Sequence, residues 1–114
     1  MFLNGKIRDI RLTKTNLDYE GSITLDEDYL ERAGILPNEE VHVLNVETGT
    51  RLITYAIKGK RGAGAVELNG PASRLGMVGD RVMVLSYALL TREEISGHQP
   101  KIICINPEQQ PYSR

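Results

Sequence analysis

The chain has 114 residues, 40% of them hydrophobic, which suits one domain with one modest core. Fourteen basic side chains stand against 15 acidic ones, a formal net charge of -1, so the basic excess of a nucleic-acid surface is missing. The opening "MFLNGKIRDIR" lacks the apolar h-region and small-residue cleavage site of a signal peptide, and no apolar run approaches the ~20 residues of a membrane helix. The expectation is a soluble cytoplasmic protein with no nucleic-acid or membrane partner.

In chain order, "KIRDIRLTKTNL" alternates as a strand, with one irregularity that suits a bulge. "SITLD" reads as a short strand and "DEDYLERAG" as a small helix, capped by Asp26 and ended by Gly34. "VHVLNVE" and "RLITYAI", joined by "TGT", give the clearest hairpin signal. "KGKRGAGA" is a glycine-rich turn, "VELN" a brief strand, and "GPASRLG" one helical turn with Pro71 near its start. "DRVMVLSYALL" is apolar enough to predict a strand buried on both sides. "TREE" is a capping box opening a short helix, "PKIICIN" is the last strand, and the tail "PEQQPYSR" is polar and loose. About seven short strands without a βαβ rhythm predict a small closed barrel.

Several kinds of chemistry find no support. Cys104 is the single cysteine, so no intrachain disulfide forms, and its apolar run "KIICIN" predicts a buried strand thiol. His42 and His98 lie far apart without further ligands at metal spacing, so no metal is expected. "GKRGAG" lacks the Lys-Ser/Thr of a phosphate loop. One Phe, five Tyr and no Trp make no stacking platform for single strands.

Gly21-Ser22, in "DYEGSIT", admits two readings: a turn before a strand, or a bond that the chain breaks. A serine hydroxyl can attack the carbonyl carbon of the preceding residue and exchange the amide for an ester. Glycine upstream removes the obstructing Cβ and accepts unusual backbone geometry. Strain and an oxyanion donor would lower the barrier. Elimination across the serine Cα–Cβ bond then leaves dehydroalanine, which hydrolyses to a pyruvoyl group and ammonia. On its own the dipeptide favours the turn.

Its surroundings alter that weighting. "YEGSITLDEDYLERAGILPNEEV", "TGTRLITYAI", "GKRGAG", "LNGPASR", "GD" and "SY" occur in an order and spacing that closely resemble the aspartate 1-decarboxylase family, from Gly5 to about Ile105. The resemblance implies a six- to seven-stranded double-psi β-barrel, mainly β with short helices. It implies a single domain over 1–114, self-cleaved into a β chain of 1–21 and an α chain of 22–114. It also implies a homotetramer with sites between neighbouring subunits, and leaves room for a maturation factor. The activity implied is pyruvoyl-dependent conversion of L-aspartate to β-alanine and CO2 for pantothenate and coenzyme A.

In that pattern Ser22 becomes the pyruvoyl group, which forms a Schiff base with the substrate amine and acts as electron sink. Tyr55 matches the proton donor, and Arg51 matches a substrate-carboxylate binder with a bidentate fork. Lys6 matches a second basic residue near the substrate. Thr54 matches a hydroxyl donor for cleavage and a substrate contact. Asn69, Gly70, Pro71 and Ala72 match the loop that meets substrate through backbone groups, and Asn69 can also serve an oxyanion. Arg51, Ile53 and Tyr55 share a strand face, while Thr54 lies opposite unless the strand bulges or Thr54 serves another subunit. Arg8-Asp9 stands where the family has His-Arg, and "NGPAS" where it has "NGAAA"; Pro71 has no N–H to donate. Two other readings stay open: a non-catalytic β-barrel binding module, and a pyruvoyl decarboxylase of another amino acid, with a cationic one disfavoured by Arg51 and Lys6.

Overall fold

The computed structural model describes residues 1–105 and the strand at 111–112. Its strands are β1 (Phe2–Arg11), β2 (Lys14–Asn16), β3 (Ser22–Asp26), β4 (Glu40–Asn45), β5 (Arg51–Gly59), β6 (Val66–Asn69), β7 (Arg81–Ala88), β8 (Lys101–Ile105) and β9 (Pro111–Tyr112). Helix α1 (Glu27–Ala33) follows β3, a 3-10 helix (Gly70–Leu75) follows β6, and α2 (Arg92–Ile95) follows β7.

The sheet runs β2-β6-β3-β5-β4-β7-β1-β8-β9. Its two sides meet because β1 runs into β2. At that junction the Leu12 N–H donates to the Asp80 carbonyl and the Thr13 N–H to the Val66 carbonyl, at 2.9 and 2.8 Å. One bent strand therefore borders both β7 and β6 and closes a small barrel. The closing set is β1/β2, β7, β4, β5, β3 and β6, with β8 and β9 added outside β1. The single expected strand "KIRDIRLTKTNL" is thus two, because it leaves one neighbour and joins another at Leu12–Thr13. The tail falls largely outside the described residues, although Pro111–Tyr112 pair with β8.

Alternation fills the barrel. Ile7, Ile10, Ile23, Leu25, Val41, Val43, Ala56, Val66, Leu68, Val82 and Val84 point inward and are at most 1% exposed. Each buried Val, Leu or Ile contributes roughly 1.5–3 kcal/mol of transfer free energy. Tyr29, Leu30 and Ala33 of α1 join this core. The Asp26 carboxylate starts α1 by accepting the Asp28 N–H at 2.8 Å, and it also accepts the Gly64 N–H at 2.8 Å and the Gly62 N–H at 3.1 Å. It therefore ties the glycine-rich turn to the helix. Gly34 ends α1 in the left-handed conformation, as expected.

The irregularity in β1 is a bulge: Ile7 pairs with Val84 and Ile10 with Val82, and Asp9 has φ +61°. Cys104 is buried in β8 and donates to Asp9 Oδ2 at 2.7 Å. The capping box at Thr91 and Glu94 is present. One expectation fails within a single chain. β7 buries Val82, Val84 and Ser86 but leaves Met83 and Leu85 only half-buried, because the barrel is one layer whose outer face has no second sheet.

Candidate active site at the Gly21-Ser22 bond

Ser22 opens β3 and is fully buried. β3 is flanked by β6 and β5, with Ser22 opposite Asn69 and Ile23 beside Ala56. Asn69 stands at the N-cap position of the 3-10 helix, yet its side chain caps nothing there. Its Nδ2 instead donates to Ser22 Oγ and to Thr24 Oγ1, both at 2.9 Å. Ser22 Oγ in turn donates to the Glu20 carbonyl across a long 3.4 Å. Asn69 Oδ1 is buried without a partner. A buried amide oxygen left unpaired is costly and calls for an explanation, of which a catalytic role is one.

The next residue explains the tight turn. Gly70 has φ +66°, and a Cβ there would sit 2.5 Å from the Tyr19 carbonyl oxygen and 2.7 Å from the Gly21 nitrogen. Only glycine lets the loop after β6 lie against the Tyr19–Gly21 backbone. Pro71 closes over the same turn, with its Cδ 3.6 Å from where a Gly21 Cβ would be. Gly21, Thr54, Pro71 and Ala72, with the apolar Leu52, Ile53 and Leu75, line an open pocket of ≈360 Å³.

β4 and β5 pair without interruption from Glu40–Tyr55 to Leu44–Arg51, so no bulge intervenes. Thr54 lies on the opposite face from Tyr55 and still reaches the pocket at Gly21, in the same chain. Extending the β3–β5 register by one residue sets Tyr55 beside Ser22, on the face opposite Ile23 and Ala56.

Arg51 and Lys6 lie elsewhere. Arg51 is exposed, four residues from Tyr55 and thus about 13 Å along β5. Its Nη1 is 3.0 Å from His42 Nδ1. Lys6 is on β1, which borders β7 and β8, whereas β3 borders β5 and β6. Next to the buried Ile7, it faces outward opposite Leu85. One chain therefore brings together Gly21, Ser22, Asn69, Gly70 and Pro71, with Thr54 and Ala72 lining the pocket at Gly21 and Tyr55 next to Thr54 in β5, while Arg51 stands at the far end of β5 and Lys6 on β1. The sequence did not single out Thr24, and it weighed His42 only as a metal ligand. Thr24 is two residues from Ser22 on one strand face, a signal that gains meaning only once β6 is known to be the neighbour.

A small β-barrel with a buried serine behind a glycine-cradled turn defines the class of protein. The family model for aspartate decarboxylase matches residues 1–111. The chain is 51% identical over 107 residues to the aspartate 1-decarboxylase of Acaryochloris marina, covering 94% of this chain and 82% of that one. It is 51% identical over 104 residues to that of Caldicellulosiruptor saccharolyticus, covering 91% and 81%. Against that of Staphylococcus aureus (strain JH9) it is 50% identical over 106 residues, covering 93% and 84%. The chain belongs to the aspartate decarboxylase family.

Proposed function

We propose that this chain decarboxylates L-aspartate to β-alanine and CO2, supplying pantothenate and coenzyme A synthesis, after cleaving itself between Gly21 and Ser22. The observation that carries the reading is the buried Ser22 hydroxyl, 2.9 Å from Asn69 Nδ2, on a turn that Gly70 alone can accommodate. As a single domain the precursor would yield 1–21 and 22–114, held together by the sheet.

The residues around Ser22 suit both cleavage and the pyruvoyl group it would leave. Ser22 Oγ is held by the Asn69 amide, 2.9 Å away, and in cleavage that amide would turn to the oxygen that develops negative charge on Gly21. Thr54, across the pocket from Pro71, supplies a second hydroxyl on the Gly21 side. The pyruvoyl carbonyl would condense with the substrate amine and take up the electrons released with CO2. Tyr55, next to Thr54 in β5, would return a proton to the substrate carbon from its hydroxyl. The backbone of Gly70, Pro71 and Ala72 would border the substrate.

Arg51 and Lys6 suit the carboxylates of aspartate, as charge-assisted donors. Their distance from Ser22 within one chain supports a site completed by a second copy. The outer face supports assembly too: Ile53 and Ile102 are 60% and 53% exposed, in one cross-strand row with the half-buried Leu85 and with His42 and Lys6 between them. A homotetramer would cover this face and give β7 the second burial its sequence implies. No helix among the described residues is long and apolar enough to cross a membrane. We place the enzyme in the cytoplasm and leave a maturation factor as a partner in cleavage.

The test is CO2 release from processed protein offered L-aspartate, L-glutamate and L-ornithine. Turnover of aspartate well above the other two is expected. Turnover of another amino acid alone would move the assignment to a different decarboxylase. No turnover by fully cleaved protein would refute the reading.

A further inference from the structure

We infer that His42 is a positioning residue for Arg51, holding its guanidinium ready for the substrate carboxylate. This rests on the proposed role of Arg51 and adds a residue to it. His42 and Arg51 sit diagonally across the β4–β5 ladder, since Leu44 pairs with Arg51 and His42 with Ile53. Diagonal neighbours lie ~7–8 Å apart at the backbone, within reach of a long side chain. The 3.0 Å contact runs from Arg51 Nη1 to His42 Nδ1.

A guanidinium has donors only, so Nδ1 must accept and the ring proton resides on Nε2. The imidazole is braced from the other side by Tyr87 of β7, with ring centroids 4.9 Å apart and an interplanar angle of 63°. Arg51 is thus tied, through one nitrogen, to a ring that is itself held by packing.

The chemistry of the partner matters. In this tautomer the imidazole is uncharged, so it orients the guanidinium without cancelling its charge. The remaining guanidinium donors stay free of His42 and can form the fork that a carboxylate fits. Pre-ordering the side chain also removes rotamer entropy that binding would otherwise cost.

The experiment measures KM and kcat for L-aspartate on processed, assembled enzyme, with cleavage verified by intact mass. The set is the parent, His42→Leu, His42→Asn, Arg51→Ala and the double variant His42→Leu/Arg51→Ala. His42→Leu should raise KM about fivefold to tenfold with kcat within about twofold, a loss of preorganisation. His42→Asn, whose side-chain oxygen can replace Nδ1 as acceptor, should restore most of KM. In the Arg51→Ala background the leucine should raise KM no further, because there is no guanidinium left to position. If Arg51→Ala raises KM and His42→Leu does not, the role of Arg51 stands and this inference falls. It falls equally if the leucine effect persists undiminished without Arg51, which is how a structural role would behave. If Arg51→Ala leaves KM unchanged, the reading of Arg51 fails and takes the inference with it.

Discussion

The turn around Gly21-Ser22 and the outer face around Arg51 are built in opposite ways. The first is buried and closed within one chain: Ser22 and Asn69 are at most 1% exposed, and Gly70 admits no side chain. The second is open, with Arg51 exposed and held by a single contact to His42. The difference teaches where each half of the chemistry belongs. Cutting a peptide bond needs atoms locked in place in one chain, which dense packing provides. Binding a small diacid needs charge that stays available, which an outward-facing arginine would provide.

Substitutions should separate the two regions. Ser22→Ala removes the attacking hydroxyl, so neither fragments nor CO2 release should be detected by intact mass and turnover. Gly70→Ala should follow, because its Cβ would meet Tyr19 and Gly21 backbone atoms and its φ is unfavourable. Cleavage slowed about a hundredfold and stability lowered by about 1–3 kcal/mol in urea titration are expected. Asn69→Ala should slow cleavage about tenfold to a hundredfold, as loss of an oxyanion or orienting donor does elsewhere. Arg51→Ala should leave the cleavage rate alone and raise KM for aspartate about tenfold. If it slowed cleavage as much as Asn69→Ala does, the two regions would not be separate.

The smallest effect is one of pH. Asp80 accepts from Asn45 Nδ2 at 3.0 Å and from the Met77 N–H at 2.9 Å, and Asn45 Nδ2 also donates to the Leu75 carbonyl at the end of the 3-10 helix. The Asn45 hydrogen bond, followed by that from Met77, lowers the Asp80 pKa below the ordinary carboxylate value. A depressed carboxylate stabilises the fold above its unfolded pKa and loses that contribution as pH falls through the folded one. A slight drop in thermal midpoint below about pH 4, smaller in Asp80→Asn, is expected. No such difference between the two proteins would remove Asp80 as a support of this loop.

Local signals carried much of the fold into the sequence. The β4–β5 hairpin, the Asp26 cap, the Gly34 terminator, the Thr91–Glu94 box and the bulge at Arg8-Asp9 each depend on residues close in the chain. Barrel closure depends on β1 changing neighbours at Leu12–Thr13, which no local pattern encodes. At the site, Gly21, Ser22, Asn69 and Gly70 were legible through family resemblance, and their burial and contacts agree with a common location. The contacts of Thr24 and His42 were not, because each is made with a partner on a neighbouring strand, 45 and 9 residues away respectively. The half-exposed side of β7 was misjudged because an apolar run does not tell which of its two faces is covered.

The central claim is that the Gly21-Ser22 bond is made to be broken. Intact mass of the denatured protein, before and after warm incubation, tests it most directly. The account expects two fragments, one ending at Gly21 and one beginning at Ser22 but short of one ammonia relative to plain hydrolysis. A single unmodified 114-residue chain that persists even when incubated in extract of the source cell, where any maturation factor would act, would contradict it.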